Sequence, residues 1–486
     1  MRPCPPRAGI AQSDSGKAGG TRKAGLLPAP ILAIAAATLL LGGCSLAPPL
    51  AIPEPPVPES WPMGDAYLLQ SEAALPSVDH TDVFRDERFL ELAGQALANN
   101  RDLRIAAANL RAARANARLA RSAQFPALGV SASGDYSTGG DRPDSESYGV
   151  LGGITAFEID LFGRLANSAA AERDRALATE AASRTLRIAL ISDLALAWTL
   201  HAADRELLEV ARDTAENARR SVELTRLRLE GGIAPRTDLR QAEQVLATAE
   251  ADLAAQTTAL AQDENLIRLL VGAEFDPALL PPTLGEAGAT IHAPPAGTSS
   301  AVLLRRPDII EAEYRLRAAN ADIGVARARM FPTLSLSGLA SFTSDTLGSL
   351  FDGDSFRFTA GGDASQPIFD AGGRRAGVEI SEAQRDAALA SYERAIQTAF
   401  REVADALAVR GTLAERIRAT RASSEAAADT ARLTEARYEG GIDSFLANLD
   451  AQRSLYAARQ REIALELTAI GNRIALYRAL GTAPEE

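Results

Sequence analysis

The stretches EGGIAPRTDLRQAE (230–243) and EGGIDSFLANLDAQ (439–452) open with the same four residues, Glu-Gly-Gly-Ile, and each lies within a long helical pattern. Glycine readily adopts the positive φ values that reverse a chain at the end of a helix. Each stretch therefore predicts the tip of a helical hairpin, and the chain should contain two such hairpins.

Other short sequences repeat at almost the same spacing as these two tips. The offsets are 206, 210 and 209 residues for three pairs: Phe125 and Phe331, Asp160 and Asp370, Gly272 and Gly481. Spacing this constant predicts a tandem duplication. The sequence accordingly divides into a first repeat (85–272), a proline-containing linker (273–300) and a second repeat (301–481).

Both repeats carry the same predicted order of elements. A helix comes first, followed by a pair of strands, a very long helix, the Gly-Gly turn and a shorter helix. In the first repeat the predicted bounds are 85–122, 125–160, 164–229 and 236–271. In the second repeat they are 302–329, 331–370, 374–438 and 443–480.

The long helices decide the predicted architecture. Residues 164–230 contain neither glycine nor proline, and at 1.5 Å per residue such a helix would be about 100 Å long. Helical patterns of this length are unusual in globular domains. Leu246, Leu253 and Leu260 recur every seven residues, which favours coiled-coil packing, although a soluble antiparallel bundle would show the same period.

The strand pairs indicate a membrane location. In FPALGVSASGDYS (125–137) and FPTLSLSGLASF (331–342), apolar residues alternate with small polar ones. Such alternation over about ten residues is typical of membrane β-strands, although half-buried strands of soluble proteins alternate as well. Four strands cannot close a barrel, since small barrels need about eight, and open edges are unstable in hydrocarbon. If the strands lie in a membrane, several copies of the chain must share one barrel.

The first 43 residues resemble a signal peptide, in which Arg22 and Lys23 precede an apolar stretch that ends in Leu-Gly-Gly-Cys44. This ending resembles a bacterial lipobox, in which the Cys44 thiol receives a lipid. The alternative is an ordinary cleavage site beside a chance cysteine. Residues 44–84 then combine the lipidated cysteine with an extended proline-rich tether, which would let the body of the protein sit at some distance from its lipid.

Composition argues against several classes of function. The net charge of −12 disfavours a nucleic-acid partner, whose phosphates attract a basic surface. His80, His201 and His292 are far apart, and the sequence has neither a metal-binding Cys/His spacing nor a lysine-containing phosphate loop. The sequence therefore predicts no catalytic site, no cofactor and no metal. No run of 18 apolar residues follows the leader, so no helical membrane span is expected.

Several motifs resemble those of one family. They are DLFGR (160–164), LLRRPDIIEAEYRLRAANADIGVARARMFPTLSLSG (303–338), QPIFDAGGRR (366–375) and LDAQRSLY (449–456). With the leader and tether, they resemble the TolC family of outer-membrane efflux factors, in its OprM-like (NodT-type) lipoprotein branch. The resemblance implies an α+β membrane protein with two tandem structural repeats. It further implies a homotrimer, in which four strands per protomer form a 12-stranded outer-membrane β-barrel, continued by a long periplasmic α-helical barrel.

The resemblance also implies a function. The chain would be the lipid-anchored outer-membrane channel subunit of a tripartite efflux system, extending into the periplasm. It would passively conduct drugs or other toxic small molecules from an inner-membrane pump to the exterior, with a periplasmic adaptor protein as a second partner. Two alternatives remain open: an outer-membrane duct for protein or peptide secretion, and a non-conducting, lipid-tethered coiled-coil scaffold.

The predicted entrance of the channel lies at the hairpin tips. By resemblance, Gly231, Gly232, Gly440 and Gly441 form this entrance and contact the adaptor. Leu446, Asp450 and Arg453 follow the second tip on one helix face and match the narrowest rings of the family. Three copies of Asp450 around a symmetry axis would favour cations. The alternative is a solvated Asp–Arg pair on a helix surface.

Two further residues are implied as gate contacts. Tyr438, just before the second tip, and Asp238, just after the first, match positions that are joined by hydrogen bonds in closed members of the family. The TolC archetype also has an arginine two residues beyond the second tip glycine, where this chain has Asp443. That link is therefore predicted to be missing here.

Overall fold

The computed structural model describes residues 45–53, 56–57, 80–139, 144–293 and 300–481. The predicted signal peptide (1–43) and Cys44 lie outside the described residues. The structure is therefore informative about both predicted repeats, about the linker up to residue 293 and about parts of the tether.

Helices and strands alternate in the order that the sequence predicts. The helices are α1 (His80–Val83), α2 (Glu87–Asn99), α3 (Arg101–Ser122), α4 (Arg164–Glu230), α5 (Arg236–Val271), α6 (Leu284–Thr290), α7 (Pro307–Ala328), α8 (Gly373–Glu439) and α9 (Phe445–Leu480). The strands are β1 (Gly129–Ser137), β2 (Ser145–Glu158), β3 (Thr333–Ser344) and β4 (Phe356–Ser365). Short 3₁₀ turns occupy Pro277–Leu279, Ser300–Arg305, Leu347–Ser349 and Gly353–Ser355.

The two repeats match in element order and in helix length. Helices α3 and α7 each contain 22 residues, α4 and α8 each contain 67, and α5 and α9 each contain 36. Helices α4 and α5 form one hairpin and α8 and α9 form the other, while α7 packs on both long helices. The prediction of tandem structural repeats is confirmed.

The four strands form one antiparallel sheet in the order β1-β2-β3-β4. The pairing of β2 with β3 joins the two repeats. Within the described residues, β1 and β4 are edge strands with one side unpaired. Every residue of β1 and of β4 is exposed, so the protomer covers neither face of these strands. The serine-bearing faces are thus not packed inside a soluble body.

The predicted first helix (85–122) is wrong in one respect, because it is two helices that meet at Asn100. The Asn100 Oδ1 atom accepts hydrogen bonds from the backbone N–H groups of Asp102 at 2.9 Å and Leu103 at 3.1 Å. Its Nδ2 atom donates to the Leu270 carbonyl at 2.8 Å. Asn100 is therefore the N-cap of α3 and also fixes this helix to the end of α5.

Up to residue 293, the predicted linker (273–300) folds against the repeats. Its 3₁₀ turn and α6 contribute Leu279, Leu284 and Ile291 to the main hydrophobic core. The Trp198 indole on α4 donates a hydrogen bond to the Leu279 carbonyl at 2.9 Å. The segment between the repeats therefore packs against the middle of α4 and forms part of the core.

The described part of the tether differs from the expected extended spacer. The Asn320 side chain on α7 donates to the Pro48 carbonyl at 2.9 Å, and Val57 packs on the cluster that contains Ile309 at the start of α7. Residues 45–53 and 56–57 thus follow α7 in the opposite direction and lie on the helices.

Helix α4 is apolar enough over one 18-residue window to cross a membrane by length and composition. However, 67% of that window is buried inside the protein. Leu194 and Trp198, in the middle of this helix, are fully buried in the main core. The apolar character of α4 is therefore explained by packing within the protomer.

A pair of carboxyl groups lies between α4 and α5. Asp204 and Asp263 are joined by a side-chain hydrogen bond, and burial next to Asp204 raises the pKa of Asp263 to about 7. His201, one turn earlier on α4, is 3% exposed, and burial lowers its pKa. These groups pack within the hairpin, and their neutral forms suit the interior.

We expect the Gly272→Ala substitution to destabilise the protein. Gly272 has a φ of +73°, and an added Cβ would lie 2.7 Å from the Asn99 carbonyl oxygen. The positive φ alone costs a non-glycine residue about 1–2 kcal/mol. Gly94→Ala is the control, because an added Cβ there meets nothing within 4 Å. Thermal unfolding in detergent should show a lower midpoint for Gly272→Ala only, and equal midpoints would contradict this packing.

The Asp263→Asn variant should be more stable than the wild type at pH 8. The pKa of Asp263 rises from 3.8 to about 7 on folding, so its favourable contribution is complete below about 4 and is lost as the pH rises to about 7. An amide stays neutral and avoids that loss, so the difference in unfolding midpoint should vanish near pH 4. Asp213→Asn, at an exposed site on α4 of the same hairpin, serves as the control. A difference that is independent of pH would exclude this explanation.

Candidate functional site

The two hairpin tips have the same backbone geometry. Gly231 and Gly440 have φ values of −74° and −72° and continue the right-handed helix. Gly232 and Gly441 have φ values of +75° and +74° and reverse the chain. The positive φ predicted at the tips is therefore confined to the second glycine of each pair.

Each tip also closes with the same hydrogen bonds. The N–H of Ile233 donates to the Arg228 carbonyl at 2.9 Å, and the N–H of Ile442 donates to the Arg437 carbonyl at 2.8 Å. This hydrogen bond, which runs from the sixth residue of the turn back to the first, and the positive φ of the second glycine together define the Schellman motif at the end of a helix. Ile233 and Ile442 are left 76% and 67% exposed, so each tip presents an apolar side chain.

Leu446, Asp450 and Arg453 lie together on an exposed face of α9. The opposite face of the same helix buries Phe445 and Leu449 against the first hairpin. Among the described residues, no ion pair joins Asp450 to Arg453. The structure therefore places the three predicted aperture residues on a surface that their own protomer leaves uncovered, and their role in an aperture stays a prediction.

Tyr438 and Asp238 form hydrogen bonds with other residues instead of the link that the resemblance implies. Tyr438 is 4% exposed, packs on Phe445 with ring centroids 5.7 Å apart, and has its hydroxyl 3.3 Å from Thr225 Oγ1. Asp238 lies in the first turn of α5 and accepts a hydrogen bond from Thr237 Oγ1 at 3.5 Å. Tyr438 still joins the two hairpins, but through Thr225 on α4.

Asp443 forms an ion pair within its own hairpin. The Arg437 guanidinium donates to both carboxylate oxygens of Asp443, at 2.8 and 3.0 Å. The neighbouring guanidinium lowers the pKa of the Asp443 carboxyl group. The TolC archetype carries an arginine at this position. This chain has a carboxylate there instead, and the Arg437 guanidinium already neutralises its charge.

The sequence reasoning did not identify Arg228, which contacts both hairpins. Its Nη2 atom donates to the carbonyl oxygens of Tyr438 at 2.9 Å and Glu439 at 3.2 Å. Its guanidinium carbon lies 4.4 Å from the centroid of the Tyr438 ring. A signal was present in the sequence, because Arg228 and Arg437 are 209 residues apart and thus occupy the same position in the two repeats.

A cavity of about 310 Å³ separates the two hairpins several turns from the tips. All four long helices line it, and the Tyr456 hydroxyl on α9 donates to Asp252 on α5 at 3.4 Å beside it. Small side chains, Ala218 and Ala249, form part of its wall. The packing between the hairpins is therefore incomplete at this level.

Comparisons with known proteins agree with the geometry. The model of the family described as "Outer membrane efflux protein" matches residues 92–273 and 298–482. The chain is 40% identical over 457 residues to the solvent efflux pump outer membrane protein SrpC of Pseudomonas putida, covering 92% of this chain and 96% of that protein. It is 36% identical over 463 residues to the outer membrane protein OprJ of Pseudomonas aeruginosa, covering 92% and 95%.

A solved structure shows the same fold. The crystal structure of CusC, described in terms of transmembrane channel formation, superposes with a TM-score of 0.79 at 35% sequence identity. The alignment covers 90% of this chain and 100% of CusC. Sequence and structure therefore lead to the same conclusion: the chain belongs to the outer membrane efflux protein family and has the TolC-type fold.

Proposed function

We propose that this chain is the outer-membrane channel subunit of a tripartite efflux system, which passively conducts small molecules from an inner-membrane pump to the exterior. The observation that carries the proposal is a four-stranded sheet, uncovered on β1 and β4, that leads directly into two hairpins of very long helices. The similarity to the solvent efflux pump outer membrane protein SrpC and to the outer membrane protein OprJ supports the same role.

The sheet requires several copies of the chain to share one barrel, and the resemblance to the family implies three. The free edges of β1 and β4 cannot face hydrocarbon, because their unpaired N–H and C=O groups would lack hydrogen-bond partners. If β4 of one protomer pairs with β1 of the next, three copies close a barrel of twelve strands. The barrel places the outward-facing Leu128, Val130 and Phe358, which the protomer leaves exposed, where lipid can cover them.

The helices supply the rest of the conduit. Helix α4 starts shortly after β2 and α8 starts shortly after β4, and both end at a hairpin tip. A helix of 67 residues spans about 100 Å, which suits a path across the periplasm. The tips, with exposed Ile233 and Ile442, then face the inner membrane, where the adaptor protein and the pump would contact them.

The exposed face formed by Leu446, Asp450 and Arg453 is the proposed aperture. Around a threefold axis, the three Asp450 carboxylates would form an acidic ring that favours cations. The same symmetry would bring three copies of Leu446 together nearer the tip. The buried opposite face of α9 holds these side chains in place without blocking the bore.

The contacts of Ser45 support a lipid anchor at Cys44. The Ser45 hydroxyl donates to Asn167 Oδ1 at 3.0 Å, and Asn167 lies in the first turn of α4, close to the sheet. An acyl group on the preceding residue would therefore leave the chain at the membrane end of the helices. The strands and the lipid would then hold the same end of the protein in one membrane.

The Asp450→Asn variant should lose cation selectivity. Removing three carboxylates from the aperture lowers the local cation concentration, and we expect the cation-to-anion permeability ratio to fall by up to about tenfold at low ionic strength and by less at high salt. Purified protein in planar bilayers gives this ratio from reversal potentials. Asp429→Asn, an exposed acid on α8, is the control. Unchanged selectivity of Asp450→Asn would refute the role of Asp450 in the aperture. A wild-type protein that carries no current would refute the channel function.

The Cys44→Ser variant should lose its lipid but keep its assembly. Metabolic labelling with radioactive palmitate should mark the wild type and a Ser45→Ala control, and should not mark Cys44→Ser. Trimers of the variant should still form in the outer membrane, because strand pairing closes the barrel. Palmitate retained by Cys44→Ser would exclude lipidation at this residue, and a monomeric variant would show that the lipid is required for assembly.

A further inference from the structure

We propose that Arg228 holds the two hairpin tips of one protomer together and thereby keeps the periplasmic entrance narrow. Arg228, the Tyr438 ring and the carbonyl groups of Tyr438 and Glu439 together form a contact that we call the tip bridge. The proposal rests on the proposed channel function. It assigns to Arg228 the role of a gate contact, which the implied hydrogen bond between Tyr438 and Asp238 does not fill.

The polar half of the tip bridge uses the end of a helix. The last carbonyl groups of a helix have no partner within it, and the negative end of the helix dipole attracts a cation. Arg228 donates to the Glu439 carbonyl at 3.2 Å and to the Tyr438 carbonyl at 2.9 Å, and the latter also accepts from the Gly441 N–H at 3.0 Å. Since Arg228 lies in the last turn of α4, these hydrogen bonds join the end of one long helix to the end of the other.

The aromatic half of the tip bridge uses Tyr438. The guanidinium lies 4.4 Å from the ring centroid, well within the range of a cation–π interaction. The ring is fixed on its other sides, because Phe445 packs against it and Thr225 faces its hydroxyl. Tyr438 therefore presents an immobile surface to Arg228.

The second repeat shows why only one arginine forms this bridge. Arg437 occupies the position equivalent to Arg228, but it pairs with Asp443 in the loop of its own hairpin. The position equivalent to Asp443 in the first repeat is Ala234, which carries no charge. Arg228 therefore has no acid in its own loop and reaches the other hairpin instead.

The rest of the interface makes this bridge important. Away from the tips, small alanine side chains such as Ala215, Ala218 and Ala249 pack within the first hairpin, and a cavity of about 310 Å³ lies between this hairpin and the second. In this part of the described chain, the hydrogen bond from Tyr456 to Asp252 is long, at 3.4 Å. Separating the tips would therefore break few polar contacts other than the tip bridge, together with the apolar packing of Phe445 and Leu449 on the first hairpin.

Two variants remove the bridge in different ways. Arg228→Ala deletes the guanidinium. Ala234→Asp leaves Arg228 intact but gives it an acid in its own loop, as Asp443 provides for Arg437. Arg228→Lys should have an intermediate effect, because an ammonium group keeps the charge but loses the planar, forked geometry. The controls are Arg437→Ala, which breaks only the pair inside the second hairpin, and Arg226→Ala, at an exposed site on α4.

The first readout is the distance between the tips. Spin labels at Ile233→Cys and Ile442→Cys, in a background with Cys4→Ser and Cys44→Ser, report this distance by pulsed electron resonance in the purified protein. We expect a longer and broader distribution for both Arg228→Ala and Ala234→Asp, and the wild-type distribution for both controls. Distributions that match the wild type for Arg228→Ala and Ala234→Asp would overturn the proposal.

The second readout is single-channel conductance in planar bilayers. Conductance should rise about twofold or more for Arg228→Ala and Ala234→Asp, since the narrowest part of a pore limits its current. If neither variant changes conductance while Asp450→Asn changes selectivity, the tip bridge is wrong and the channel stands. A wild type without current refutes the channel function, whereas the distance measurement still tests the bridge. If Arg228→Ala does not assemble, Ala234→Asp decides the result.

Discussion

Unpaired strand edges are the constraint on which the rest of this molecule depends. A single protomer makes four strands with β1 and β4 unpaired on one side, and hydrocarbon offers no hydrogen-bond partners to an open edge. Only neighbouring copies can satisfy these groups. Because α4 and α8 start shortly after the strands end, any arrangement that closes the sheet also arranges the helices around the same axis and creates one continuous conduit.

Duplication built the protomer, and small differences between the repeats give the two hairpins different properties. The long helices have identical lengths, and the tip glycines have nearly identical φ values. Yet Asp443 holds Arg437 inside the second hairpin, whereas Ala234 leaves Arg228 able to contact Tyr438. The exposed acid Asp450 is matched by an uncharged residue, Gln241, in the first repeat. The two hairpin tips thus differ in chemistry although their backbones are nearly identical.

Much of the fold could be predicted from the sequence, because helical period, strand alternation and repeated glycines are local signals. The features that the sequence did not predict share a physical cause. Each depends on a hydrogen bond or a packing contact with a residue far away in the sequence. Asn100 separates two helices through a bond to Leu270, and the linker packs against Trp198. At the site, the exposed face of Leu446, Asp450 and Arg453 followed from helical spacing. Arg228 did not, because an arginine at a helix end is usually a surface partner of its own helix.

The central claim is that separate copies pool their strands into one barrel around a shared bore. Native mass spectrometry of the purified protein, released from detergent and from native lipid particles, tests it most directly by counting the chains in each assembly. The account predicts a trimer in both environments. The trimer should persist when the charge state of the released ions is lowered. A monomer in both environments would contradict the account, because a lone sheet would then be stable with its edges unpaired.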